Sequence, residues 1–277
     1  TMNKLSTEKR ARIIGMLVEG NSMRAVSRMA DCSINTVTKL LVDVGSACLE
    51  YQDKIMRDLP CRRIQCDEIW SFCYAKEKNV PQEHKGQFGY GDVYTWTAIC
   101  ADTKLVPSFF IGRRDAQSAY CFMNDLADRL KNRVQLTTDG FKAYLNAVDA
   151  AFVGDIDYAM LIKIYGGPAS TEDQRRYSPA ECAGTERLLV SGNPNAKDVS
   201  TSYVERQNLT MRMSMRRFTR LTNGFSKKVE NLAHAVALHF MYYNFARIHK
   251  TLRVTPAMEA GIADHIWTLE EIVNLPN

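Results

Sequence analysis

Apolar residues recur at helical spacing through the first 47 residues of this chain. Over Thr7–Gly20, Ile13, Ile14, Leu17 and Val18 form one face, and Gly20 is a stop signal. The stretch 22–30 opens on Ser22, a capping residue, and places Met23, Val26 and Met29 three residues apart. A third helix starts after Ser33, with Ile34, Val37, Leu40 and Leu41 on one side. Three helices with a short turn between the second and third predict a helix-turn-helix domain over 1–47. A small helical cap or dimerisation bundle is the alternative. The outer side of the third helix carries Asn35, Thr36, Thr38 and Lys39, polar residues that suit a DNA major groove. Residues 48–60 read as a helical linker ending at Pro60.

From residue 61 the period shortens. "CRRIQCDEIWSFCYAK" is strand-like, and "VYTWTAICA" and "LVPSFFIGR" are two further strands joined by the turn "DTK". A helix capped by Asp115 follows, then the strand "RVQLTTDG", the helix "FKAYLNAVDAAF" and the strand "DIDYAMLIKIY". Helix returns near 201 and again over 226–246. Hairpin-linked strands followed by alternating helices and strands predict an α/β domain over 61–250, its mixed sheet covered on both faces. Residues 166–200, rich in Gly, Pro, Ser and charge, read as an irregular insertion, and 251–277 as a C-terminal tail.

Charge sharpens this picture. The net charge is +5, but residues 201–253 hold ten Lys and Arg against two Asp and Glu, a net +8. Such concentration is the footprint of a phosphate-backbone contact. No apolar run of about 18 residues and no leader-like apolar segment is present, which points to a cytoplasmic protein without a membrane span. Eight cysteines, none in a Cys-x-x-Cys pair, read as buried free thiols rather than a zinc site.

Three carboxylates stand out by context. Asp67 lies inside the first strand, Asp139 at the carboxyl end of the fourth, and Glu205 near the start of the basic helix. Strand ends and a helix face can converge at one edge of an α/β sheet. Three carboxylates held together need a cation, and two Mg²⁺ or Mn²⁺ ions about 3.5–4 Å apart would neutralise them and serve phosphodiester chemistry. A dispersed set of surface acids is the competing reading. Glu68 alternates away from Asp67 along the strand and reads as solvated or ion-paired. Asn208 and Arg212 fall near the helix face of Glu205, beside Arg206, and Arg216, Arg217, Arg220, Lys227 and Lys228 extend the basic surface toward DNA. A solvated charged face is the bland alternative. Arg175, Arg176 and Lys197 in the insertion are further candidates for DNA contact. His249 is a candidate neighbour of the site or a structural histidine. Trp70, Trp96 and Tyr203 read as core.

The segments "CDEIWSF", "TTDGFKAY", "STSYVERQNLTMRMSMRRFTRLTNGFSKK" and "YYNFARIHKTLRVTPAMEAGI" resemble DDE transposases of bacterial insertion sequences, closest to the insertion-sequence-one family, over roughly 61–262. That resemblance implies an RNase H-like core with Asp67, Asp139 and Glu205 as the catalytic, metal-holding triad. It also implies cleavage that frees a 3′-hydroxyl at the element's end, and attack of that hydroxyl on target DNA. The implied partners are double-stranded DNA, as terminal inverted repeats and target, and a second copy of the chain in a homodimer or higher assembly. The implied location is the bacterial nucleoid. Relatives often carry an N-terminal zinc-binding Cys cluster, and this chain shows none. DDE transposases of other kinds grip a flipped base with an aromatic residue, which marks Trp70 as an exception to the core reading. The rivals are a retired, domesticated DNA-binding regulator and a nuclease that cuts without joining.

Overall fold

The computed structural model describes residues 5–166, 182–219 and 222–276. Three helices open the chain: α1 (Thr7–Val18), α2 (Met23–Met29) and α3 (Ile34–Ile55). Each starts on a serine whose hydroxyl accepts from a backbone N–H of the first turn: Ser6, Ser22 and Ser33. α3 runs unbroken across the boundary expected at 47/48. The 48–60 linker is therefore the second half of that helix plus a short tail. Cys48 and Gln52 of this half are buried, and the Gln52 amide donates to the Cys48 and Ala237 carbonyls.

Six strands form one sheet: β1 (Arg63–Cys73), β2 (Gly91–Cys100), β3 (Ser108–Gly112), β4 (Gln135–Thr138), β5 (Asp157–Tyr165) and β6 (Cys182–Ser191). Their order is β3-β2-β1-β4-β5-β6. β1, β2 and β3 pair antiparallel, β1, β4 and β5 pair parallel, and β6 returns antiparallel on β5. This α/β arrangement, a hairpin-linked triplet extended by two parallel strands and flanked by helices, is RNase H-like. α4 (Ala116–Ala127) starts on Asp115, whose carboxylate accepts from the Ser118 N–H at 2.8 Å, and it packs with α5 (Ala143–Phe152). α6 (Ser202–Ser214) lies against β1 and β2, and α7 (Val229–Met241) against α3.

β6 corrects the reading of 166–200 as irregular throughout. Its residues are nearly all exposed and among the described strands it pairs only with β5, so it carries no alternation of apolar and polar positions. Arg175 and Arg176 lie outside the described residues. The C-terminal segment carries α8 (Pro256–Glu259) and α9 (Leu269–Asn274). α9 packs on α1, where Arg10 donates to the Val273 carbonyl. One apolar core runs from Ile13 and Val37 through Trp96 and Phe122 to Phe240 and Ile272. Seven of the eight cysteines are buried or partly buried, and all eight are free thiols; Cys182 alone is exposed. Among the described residues no helix is long and apolar enough to cross a membrane.

The α3–α7 contact hinges on Gly45. A Cβ there would sit 2.5 Å from the His234 carbonyl oxygen and 2.8 Å from its Cα. Backbone cannot yield as a flexible side chain can, so Gly45→Ala must push the helices apart. The expected cost is about 1–3 kcal/mol, read as a fall in thermal midpoint. An unchanged midpoint would show that this seam is loose.

Candidate active site

β1 is the spine of the site. Its residues Gln65 and Asp67 share one face of the strand and meet α6. α6 starts at Thr201, whose side chain makes no capping bond. The cap comes instead from β1: the buried Gln65 Oε1 accepts from the Tyr203 and Val204 N–H groups at 2.8 and 3.2 Å. This cap ties the first turn of α6, and with it Glu205, to the strand that carries Asp67. Gln65→Leu leaves two helix-terminal donors without an acceptor. It should cost about 1–2 kcal/mol of stability and lower activity about tenfold by letting Glu205 drift. Full activity in a folded variant would show that the cap does not position Glu205.

Asp67 is fixed on both oxygens. Its Oδ1 accepts from the Glu68 N–H and its Oδ2 from Asn208 Nδ2, each at 2.8 Å. Burial, followed by the charge of Asp139, raises its pKa to about 6, with Glu205 adding to the rise and Lys163 opposing it. Asp139 follows β4 directly, and its Oδ1 accepts from the Phe141 N–H at 3.0 Å, an Asx turn that fixes the carboxylate at the strand end. Asp67, Glu68 and Asp139 each offer a carboxylate oxygen within 4.8 Å of the others.

Glu68 is the member that strand alternation had sent elsewhere. Its side chain does leave the other face and is ion-paired, to Arg114 at 3.2 Å, but it is only 1% exposed and its carboxylate stays with the other two. Burial, then the charge of Asp139, raises its pKa to about 7. Its Oε1 is buried and has no close hydrogen-bond partner among the described residues, although the buried Tyr144 hydroxyl is near enough to favour its charged form. Arg114 also reaches Asp139 at 3.6 Å and lies over the Phe141 ring, 4.0 Å from its centroid.

Glu205 belongs to the neighbourhood without joining that trio. It bonds the Thr201 hydroxyl, and Lys163 Nζ lies 2.7 Å from its Oε1. Its charge is nonetheless felt at Asp67. An all-carboxylate donor set with an orphaned buried oxygen suits a hard divalent cation, which takes oxygen ligands. Asp67, Asp139 and Glu68 are placed to hold one, and Glu205 lies outside the group that they form.

The basic candidates divide into surface and interior. Arg206, Arg216, Lys227 and Lys228 are exposed, and Arg212 is partly so. Asn208 is a correction: it is buried and spent on Asp67, so it orients a carboxylate and does not meet DNA as a surface group. Arg217 is another. Its guanidinium bonds Ser226 Oγ at 2.7 Å and Met23 Sδ at 3.4 Å, joining α2 to the core, and burial lowers its pKa to about 10. Arg220 lies outside the described residues. His249 sits in a turn with Nδ1 3.1 Å from the Thr251 hydroxyl, and no contact among the described residues ties it to the carboxylates.

At the start of α3, Asn35 and Lys39 are exposed, and Thr36 and Thr38 partly so. Lys39 pairs with Asp43 at 2.7 Å, the Thr36 hydroxyl bonds the capping Ser33, and the Thr38 hydroxyl donates to the Ile34 carbonyl. Trp96 is core, as read from the sequence, but Trp70 and Tyr203 are about 40% exposed. Trp70, Phe72 and Phe225 line an open cavity of about 680 Å³ with Lys76, Lys78 and Arg212. Trp70 is three residues along β1 from Asp67, roughly 10 Å of extended strand, and two from Glu68 on the same strand face.

No protein-family model matches the chain, and no curated protein matches it. Among solved structures it is similar to a Mos1 transposase paired-end complex with the left transposon end. The identity is 12% and the TM-score 0.26, over 57% of this chain and 60% of that one. It is also similar to the Mos1 strand transfer complex, at 10% identity and a TM-score of 0.25, over 87% of this chain and 77% of that one. The chain thus spans less than two thirds of the first of these. Likenesses this distant carry no argument, and the fold assignment rests on the strand order.

Proposed function

We propose that this chain is a metal-dependent DNA transposase that binds insertion-sequence ends, frees their 3′-hydroxyls and joins them to target DNA. The observation that carries the reading is the meeting of Asp67 and Asp139 with Glu205 close by, from three separate elements, at the root of the most basic segment of the chain. Asp67, Asp139 and Glu205 are the catalytic and metal-holding residues in this reading, with Glu68 as a fourth carboxylate. A pair of Mg²⁺ or Mn²⁺ ions, when bound, supplies charge neutralisation at the attacking and leaving oxygens of an in-line displacement.

The chain's own residues hold the stage for that chemistry. Asn208 and the Glu68 N–H keep the Asp67 carboxylate aimed, and Arg114 offsets the mutual repulsion of Glu68 and Asp139. Arg206, Arg212, Arg216, Lys227 and Lys228 present cations to the DNA backbone, while Asn35, Thr36, Thr38 and Lys39 face the ends through the first three helices. Two ends must be joined, which calls for a homodimer or higher assembly.

A second reading, a retired DNA-binding regulator, draws support from the Lys163–Glu205 pair, because an ammonium already satisfies that carboxylate. A strand-transfer assay with labelled element ends, a plasmid target and Mg²⁺ separates the two. Joined product that vanishes with EDTA is expected. Tight end binding with neither cleavage nor joining in Mg²⁺ or Mn²⁺ would make the chain a regulator, and cleavage without joining would make it a nuclease.

A further inference from the structure

Among the described residues two cations, Arg114 and Lys163, are ion-paired to the carboxylates, and they are held differently. Arg114 is anchored by Glu68, Asp139 and the Phe141 ring. Lys163 has one ion-pair partner among the described residues, Glu205, at 2.7 Å, and its side chain is 32% exposed. Its backbone is also less confined. β4 ends at Thr138, which pairs with Met160, so beyond that point β6 is the one strand partner of β5 among the described residues, with Ile162 lying beside Gly140. Lys163 pairs there with Thr185 on this two-stranded ribbon. It lies three residues past the last β4 pairing and reaches back across the sheet edge to α6.

We propose that Lys163 is the resident counter-cation of Glu205, which a divalent cation must displace before Glu205 can become a ligand. It thereby sets the metal concentration at which the site loads. The inference rests on the metal-holding role proposed above for Asp67, Asp139 and Glu205. A carboxylate oxygen with an ammonium at 2.7 Å has one fewer direction open to a metal, and a cation entering beside Asp67 meets a like charge. The flexible, solvent-reaching lysine can swing out, whereas the anchored arginine cannot. DNA gives the released ammonium a new partner in the backbone phosphates. Metal and DNA then favour one another, because each relieves the cost that the other meets, and such coupling is reciprocal.

The test is Mn²⁺ binding to the metal-stripped full chain, followed by the paramagnetic resonance signal of the free ion, with and without a linear duplex. Lys163→Met should bind Mn²⁺ about tenfold more tightly than the wild type without DNA, and Lys163→Arg should stay within about twofold of the wild type. Duplex should tighten Mn²⁺ binding by the wild type and change Lys163→Met little. In the Glu205→Gln background, Lys163→Met should have no further effect, which shows that the lysine acts through that carboxylate. Equal or weaker Mn²⁺ binding by a folded Lys163→Met chain overturns this inference and leaves the metal-holding reading standing. Absence of Mn²⁺ binding in every form overturns both. A thermal melt of each variant confirms that the chain compared is folded.

Discussion

Asp67→Asn should reduce joining of a donor 3′-hydroxyl to target DNA by at least about 10²–10³-fold, the scale set by removing one preorganised charge-stabilising group, while duplex binding stays within about threefold. Asp67 has the least freedom of the candidate ligands, since both oxygens are held, by the Glu68 N–H and by Asn208. Asparagine is nearly the same shape: its one oxygen can keep the Glu68 N–H, and Asn208, whose Oδ1 has no partner among the described residues, can flip to accept from the new amide, so the fold survives and the loss reports chemistry. The lost charge is what matters, because a neutral amide oxygen is a weak ligand for a hard divalent cation. In the proposed function DNA is held by α6 and the first three helices, and that contact does not need the carboxylate. Glu205→Gln should behave alike. Glu68→Gln decides a separate matter: a comparable loss makes Glu68 a working ligand, and a loss of about tenfold or less makes it the partner that fixes Arg114. Joining that survives in Asp67→Asn would remove Asp67 from the catalytic set.

Much of the scaffold was legible in local pattern. Ser33 and Asp115 are cap residues followed by apolar helical faces, and both cap helices in the structure. Asp67 could be picked out because a carboxylate in an apolar strand is costly without a cation or a partner. Other features depend on which way a surface turns in three dimensions. Helical spacing put Asn208 on the face of Glu205, but that face meets β1 at this level, so Asn208 serves Asp67 and not DNA. Arg217 sits in a run of basic residues that reads as free surface, yet the chain bends there and ties it to Met23 and Ser226, partly buried. Gln65 left a faint signal, a polar residue between the apolar Ile64 and Cys66. Its role as a cap from another element cannot be read from spacing along one helix. Lys163 left none, because a lysine near a strand end is ordinary until the fold brings α6 beside it.

Without metal, the carboxylate cluster should make the folded chain less stable as pH rises. Asp67 is raised from 3.8 to about 6 and Glu68 from 4.5 to about 7, each chiefly by burial and then by the charge of Asp139. In the folded state both hold protons at pH values where the unfolded chain has lost them. Their favourable contribution is therefore complete below the unfolded values near pH 4 and is lost as pH climbs through about 6 and 7. The whole-protein curve hides this. His239, buried and neutral with its pKa lowered to about 3, contributes the opposite slope, since the unfolded chain takes up that proton first as pH falls through 6.5. The difference between wild type and Asp67→Asn isolates the carboxylate. The two should be equally stable at pH 4, and at pH 8 the variant should be the more stable by about 3 kcal/mol, the equivalent of some two pKa units. At roughly 2–4 °C per kcal/mol for a chain of this order, calorimetry resolves that gap readily. Mg²⁺ should narrow it at pH 8 by stabilising the wild type more than the variant, since the wild type brings one more charge to be neutralised beside Glu68 and Asp139. A gap that is absent at pH 8 would mean that the fold does not hold Asp67 in its neutral form, and a gap that Mg²⁺ leaves untouched would mean that Asp67 does not hold the ion.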